Sequence, residues 1–494
     1  MLLLVSLFCA YPFFSLQAQN NAQAFISGDF ADPSVIKAKD AYFAVATSSE
    51  WAPHFPIYRS KDLQHWTQAG YVFDKAPEWT SGSFWAPEYY FHNGLYYIYY
   101  TARRRSDNIS CIGVATSKYP DKGFEDRGIV VSYGKEAIDG FIYKDHDQLY
   151  ITFKAYGLDK RPIEILGSRL SPDGLKTEGA IFSLSKDTAG AGMEGQSILQ
   201  HNGFYYLFYS SGSCCGNGCS YNVRVARSKN FKGPYEQYPQ NPILQANEVW
   251  KCPGHGTFVQ QSDGNYWYIH HAYNKQSNVF TGREGMLAIL RWQTNDWPSF
   301  VDQDAGSKQA TDITTAFTGN QLAKYWQWDF RNSSPVASQT NGRLQLSGTV
   351  KEGNNTGIVL AMRPVSSHFA ATATIVNTNQ SVKGLAFYGD ADVAVGIGAT
   401  GNKVEYWVVK NNKRTVLASQ PAQPGIPVEV RLTMLPELTC TVAFRQGTAD
   451  WQQVGGDQDI SFLPRWDRSP RIGLHFQGPS NESAIFSGFV LNNL

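Results

Sequence analysis

Three carboxylates and one histidine occupy like positions along the chain: Asp32 in "FADPSVI", Asp139 in "AIDGFIY", Glu194 in "GMEGQSIL" and His255 in "PGHGTFV". Each stands just ahead of a run that reads as the first strand of a repeated unit. A single acid at such a place is commonly a turn cap that accepts backbone N–H bonds. Three in register, with a histidine at a further place, point instead to convergence on one site. Carboxylates held close repel one another, so their pKa values separate. That is a poor device for stability and a suitable one for acid–base chemistry, in which one acid gives a proton and another, ionised, activates water.

The elements that must bring them together form an internal repeat. Five segments share one grammar: "ADPSVIKAKDAYFAVATS", "APEYYFHNGLYYIYYTARR", "IDGFIYKDHDQLYITFKAYG", "MEGQSILQHNGFYYLFYSSG" and "GHGTFVQQSDGNYWYIHHAYN". A short strand leads into a polar turn such as Asn-Gly, a hairpin signal, then into an aromatic strand. A loop and a third strand ending in Ser or Arg follow, then an outer strand such as "GYVF" or "GIVV". The period of roughly 50 to 60 residues suits propeller blades of four strands. The expected architecture is all-β, a five-bladed β-propeller over residues 25–305. The first strand of each blade lines the axis, so residues at its entrance face one another; in the second unit that place falls near Trp85 and Pro87.

Composition agrees. Aromatics reach 14% and charged residues only 17%, with 44 glycines, as in a β-rich chain of many tight turns. Lys plus Arg is 43 and Asp plus Glu 42, a formal charge of +1, which argues against nucleic-acid binding. Aromatic excess also suits carbohydrate, whose C–H faces stack on rings. Residues 1–18 read as a signal peptide cut after Ala18, although its basic start is missing. No later segment is long and apolar enough to span a bilayer, so an exported protein, periplasmic or extracellular, is expected. Beyond Cys9 there are six cysteines, and "SGSCCGNGCSYN" carries three. No histidine lies at zinc-ligand spacing there, so disulfides are expected, with their pairing open.

Taken together, "GDFADPSVI", "WAPEYYFHNGLYYIYYT", "AIDGFIYKD", "GMEGQSIL", "PGHGTFV" and "TGREGMLAILRW" resemble glycoside hydrolase family 43 across the propeller. The resemblance implies inverting hydrolysis, with Asp32 as general base, Glu194 as general acid and Asp139 as the residue that orients the acid and raises its pKa. It implies that Arg283 binds the sugar, the alternative being a salt bridge within the blade. It implies that His255 helps hold a water-shelled structural calcium, the alternative being a hydrogen-bonded core histidine. No cofactor is required for the chemistry. Trp85 and Phe84 are candidates to stack on the sugar, or else core residues.

After "WPSF", residues 306–325 read as a linker. Residues 326–494 show strands at regular spacing, a β-sandwich that resembles the concanavalin-like domain of exo-acting relatives. The expected substrate is an arabinose- or xylose-containing oligo- or polysaccharide, and the expected activity is exo-release of α-L-arabinofuranose or β-D-xylose. The Cys-Cys pair before "YN" resembles endo-arabinanases instead. A non-catalytic sugar-binding propeller is the alternative from another class.

Overall fold

The computed structural model describes residues 23–261, 263–277, 279–302 and 312–494. The expected signal peptide, 1–18, lies outside them. Among the described residues there is no helix.

Five antiparallel four-stranded sheets follow one another in chain order, each running from inner to outer strand. Blade I comprises Ser34–Ala38, Ala41–Val45, His54–Ser60 and Trp66–Phe73. Blade II comprises Thr80–His92, Leu95–Arg104, Ser110–Ser117 and Glu125–Val131. Blade III comprises Ala137–Asp145, Gln148–Ala155, Glu164–Arg169 and Phe182–Lys186. Blade IV comprises Glu194–His201, Phe204–Ser211, Asn222–Ser228 and Glu236–Gln237. Blade V comprises Trp250–Gln260, Tyr266–Asn274, Arg283–Trp292 and Pro298–Asp302.

The hairpins sit where the turn chemistry puts them. Asn93-Gly94 and Asn202-Gly203 both take positive φ, as a two-residue turn matching the strand twist requires. Aromatic strands fill the space between blades: Phe43, Phe55, Phe84 and Tyr100 join blades I and II, and Tyr97, Tyr99, Ile142 and Phe153 join II and III. The ring closes without a covalent link. Phe25 N–H donates to the Gly285 carbonyl at 2.8 Å, and Gly285 N–H to the Ile26 carbonyl at 3.0 Å. A Cβ at Gly285 would lie 2.8 Å from the Phe25 ring, so this closure needs glycine.

The second domain is a sandwich of a nine-stranded and a six-stranded sheet around one core that includes Leu346, Ile375, Phe387, Ile397, Leu432 and Phe489. The segment expected as a linker is partly strand: Ile313–Thr315 pairs with the final strand Ala484–Asn493. The sandwich is fastened to blade I, where Trp328–Asp329 pairs with Trp51–Ala52 and Tyr71 Oη donates to the Lys324 carbonyl at 2.7 Å. Cys214 bonds its neighbour Cys215, and Cys219 bonds Cys252. Among the described residues Cys111 and Cys440 are free and buried.

Candidate active site

The inner strands are irregular at the end where the candidate residues sit. The ladder shifts between Ile138 and Phe141, between Glu194 and Ser197, and on both sides of Gly254. Asp32, Ala86, Asp139 and His255 all have left-handed φ, from 41° to 59°. Bulges and left-handed residues re-aim side chains, and non-glycine residues hold such conformations only when the surroundings impose them. Here they gather the residues around one cavity of about 390 Å³, lined by Asp32, Trp85, Asp139, Glu194, His255 and Arg283 among others.

Asp32 is buried and held on both oxygens. Thr47 Oγ1 donates to Oδ2 at 2.6 Å and Arg283 Nη1 to Oδ1 at 2.9 Å. The Asp32 N–H donates to His271 Nδ1 at 3.1 Å, and His255 Nδ1 lies 3.4 Å from Oδ1. Burial alone would raise the Asp32 pKa, but Arg283, His255 and His271 hold it far below the ordinary carboxylate value. His271 is itself pushed down to about 4 by burial, against the pull of Asp32. The first carboxylate is therefore ionised.

Asp139 has the opposite character. Burial, only partly offset by His255 and reinforced by the charge of Glu194, raises its pKa to about 6. Its Oδ2 accepts the Gly195 N–H at 3.1 Å, so it is tied to the backbone beside Glu194. His255 Nδ1, 3.8 Å from the same oxygen, links the two aspartates. Glu194 accepts from Lys154 Nζ at 2.7 Å and from Tyr221 Oη at 3.0 Å. The expectation was that Asp139 raises the Glu194 pKa. Burial does push it up, but Lys154, then His255 and Tyr221, overcome this and hold Glu194 below its ordinary value.

Trp85 lines the cavity, its Nε1 donating to Asp467 Oδ2 at 3.3 Å. Phe84 does not belong there. It is fully buried and stacks on His54 at 3.9 Å inside the ring, where no sugar reaches. Its neighbour in sequence points to the axis because the strand alternates faces. Arg283 lines the cavity but pairs with Asp32 itself rather than with another blade residue, and its Nη2 donates to the Asp467 carbonyl at 3.2 Å. Among the described residues no three His, Cys, Asp or Glu side chains gather to hold a metal ion, and the His255 Nδ1 faces carboxylates. A calcium here would be left with the ring of His255 alone, a poor donor set for a hard cation that takes oxygen ligands.

The sandwich completes the site. Its Trp466 and Asp467 line the cavity together with the Cys214–Cys215 pair, and the Trp466 ring meets Trp85 edge to face at 6.1 Å.

The family model for glycosyl hydrolases family 43 matches residues 22–298, more than half of the chain. This chain belongs to glycosyl hydrolase family 43. As a member it is a glycoside hydrolase. An extracellular exo-α-(1→5)-L-arabinofuranosidase of Cellvibrio japonicus is 28% identical over 313 residues, covering 56% of this chain and 88% of that protein. An extracellular endo-α-(1→5)-L-arabinanase of Bacillus subtilis is 28% identical over 291 residues, covering 54% of this chain and 87% of that protein. These alignments take in about the propeller's share of the chain. A xylan β-1,4-xylosidase structure from Bacillus halodurans covers 95% of this chain and 99% of its own at TM-score 0.82 and 20% identity, a likeness of fold that extends to the sandwich.

Lys154, Tyr221, His271, Thr47 and Asp467 were not singled out by sequence. Lys154 ends an aromatic strand in "ITFKA" and His271 lies inside "YWYIHHAY". A charged or titratable residue within an otherwise apolar strand is the signal each carries.

Proposed function

We propose that this family 43 enzyme is an inverting, exo-acting hydrolase that releases terminal α-L-arabinofuranose, and also β-D-xylose, from plant cell-wall oligo- and polysaccharides. The observation that carries the exo reading is the wall supplied by the sandwich. Asp467 bonds both Trp85 and Arg283, so the second domain stands directly against the two candidate sugar-binding residues. A pocket walled on that side admits a chain end rather than a chain passing through. The exo-arabinofuranosidase relative supports the choice of sugar. The apolar segment 1–18 and the extracellular relatives support export.

In the reaction, water on the axis gives a proton to ionised Asp32 as its oxygen bonds the anomeric carbon. The glycosidic C–O bond breaks, and the leaving oxygen keeps the electron pair and takes a proton from Glu194. One water is consumed, the sugar leaves with inverted configuration, and the two carboxyl groups exchange their protons with solvent. Arg283 keeps Asp32 ionised and, with Trp85, faces the sugar.

Product analysis on linear arabino-oligosaccharides, alongside 4-nitrophenyl α-L-arabinofuranoside and β-D-xylopyranoside, tests the reading. Monomer as the sole early product, with turnover of the nitrophenyl arabinoside, is expected. Mixed oligomers with silence on both nitrophenyl glycosides would replace it with endo-action. Glu194→Gln is expected to abolish cleavage of oligosaccharides, whose leaving groups need the proton, while binding without turnover by the unaltered protein would leave only a sugar-binding propeller.

A further inference from the structure

Glu194 presents a chemical difficulty. A general acid must carry a proton, yet both its oxygens accept from donors, Oε2 from the Lys154 ammonium and Oε1 from the Tyr221 hydroxyl. That is the solvation of a carboxylate. Were Glu194 to take up a proton with nothing else changed, Lys154 would be left as a buried ammonium beside a neutral acid, a strongly unfavourable state.

The structure holds a second carboxylate for that ammonium. Glu136, just ahead of the inner strand of blade III, places Oε1 3.9 Å from Lys154 Nζ. This Oε1 is buried and has no hydrogen-bond partner. Room for it depends on Gly157, where a Cβ would lie 2.1 Å away. Lys154 itself comes from the adjacent strand, opposite Ile138, so its flexible stem reaches both acids from one fixed point. A buried carboxylate oxygen without a hydrogen bond, 3.9 Å from an ammonium bonded elsewhere, has the character of an alternative seat.

We propose that Lys154 is a positioning residue with two seats: on Glu194 while that group is ionised, and on Glu136 when Glu194 carries the proton destined for the leaving oxygen. The inference rests on the reading of Glu194 as the general acid. As the ammonium leaves Oε2, Glu194 takes one proton from solvent, and Glu136 keeps Lys154 paired. When the leaving oxygen has taken that proton, Glu194 is again a carboxylate and Lys154 returns. The other groups facing Glu194 are Asp139 on blade III, Tyr221 ahead of the third strand of blade IV, and His255 on blade V, with Asp32 beyond it. Asp159 also bears on Glu136 and is itself paired to Lys135 at 3.3 Å.

The test is the alkaline limb of the kcat and kcat/KM profiles on an arabino-oligosaccharide, where loss of the acid's proton ends activity. Lys154→Met is expected to move that limb up by about one pH unit or more, because an opposite charge at contact distance is gone. Glu136→Gln is expected to move it down and lower kcat several-fold, because Lys154 then has only Glu194. The double variant is expected to follow Lys154→Met. On the nitrophenyl glycoside, whose leaving group needs little protonation, the shifts should shrink. Limbs that move in opposite directions support the two seats. A uniform loss at all pH values, or limbs that move together or stay fixed, overturns them. Should Lys154→Met fail to fold, the downward shift in Glu136→Gln decides alone. Glu194→Gln that still cleaves oligosaccharide would instead remove the general-acid reading itself.

Discussion

Replacing Arg283 by Met removes the guanidinium bonded to Asp32, at 2.9 Å from Oδ1, and leaves Thr47 and the two histidines. An opposite charge at such range lowers a carboxylate pKa by about 1–3 units, each unit being about 1.4 kcal/mol. Ionised Asp32 should therefore lose about 1.4–4 kcal/mol of support. The base must be ionised to accept the water's proton, so the acid limb of kcat/KM should climb by that 1–3 units in the variant. Stability follows the same sign. The folded pKa of Asp32 is depressed, so its contribution is present above the unfolded value of about 3.9 and is lost as pH falls through the folded one. Without Arg283 that loss begins at higher pH. The assay is kcat/KM on the nitrophenyl arabinoside from strongly acidic to neutral pH, because the limb starts far below the ordinary carboxylate range, with thermal melts at each point. Total activity should also fall, since Arg283 faces the sugar, so the position of the limb and not its height is the readout. Arg283→Lys should recover part of the limb, as a point charge, without the second bond to the Asp467 carbonyl. A limb unmoved in Arg283→Met would mean that the histidines and Thr47 suffice, and would refute the electrostatic role.

Four other outcomes are expected. Trp466→Ala should raise KM for arabino-oligosaccharides about three- to tenfold, the worth of an aromatic contact, with less effect on the nitrophenyl glycoside. Asp139→Asn should destroy most activity yet stabilise the protein at pH 8, by about 1–3 kcal/mol, and not at pH 4, because a folded pKa of about 6 above the unfolded one makes ionisation costly; melts at the two pH values check it. Breaking Cys219–Cys252, separated by 33 residues, by Cys252→Ser should lower unfolding stability by about 3–4 kcal/mol in urea titrations, the chain-entropy worth of such a loop. Dialysis against EDTA should leave hydrolysis of the nitrophenyl glycoside intact, and loss restored by added calcium would place a metal in the reaction.

The propeller is legible because its signals are local and repeated. Asn93-Gly94 and Asn202-Gly203 mark hairpins by themselves, and the outer strands in "GYVF" and "GIVV" lie where the pattern puts them. Asp32, Asp139, Glu194 and His255 could be aligned because each belongs to the start of an inner strand or to an irregularity in it: Asp32 just ahead of Ser34, Glu194 first in its strand, Asp139 and His255 at ladder shifts within theirs. The rest depends on register and docking, which no local pattern records. Lys154 meets Glu194 only because blades III and IV are neighbours and the second strand of blade III ends at that height. Phe84 and Trp85 look alike in sequence, but a period of two sends one into the core and the other to the axis. Trp466 and Asp467 reach the site through the packing of a separate domain, so "RWDRSP" reads as a surface loop until the two domains are seen together.

The ring closure fixes a time order in the making of the enzyme. Asp32 leaves the ribosome early, only a few residues after the segment that seats on Gly285. Its arginine, 251 positions later, and both its histidines arrive with the final blade. A nascent chain holding four blades thus displays Lys154, Glu194 and Asp139 but lacks Gly285, on which the Phe25 backbone seats, and the arginine and histidines that surround Asp32. Hydrolytic competence is gained in a single late event, when the beginning of the propeller docks on its end, and a chain released before residue 285 is a sugar-facing surface without a working base.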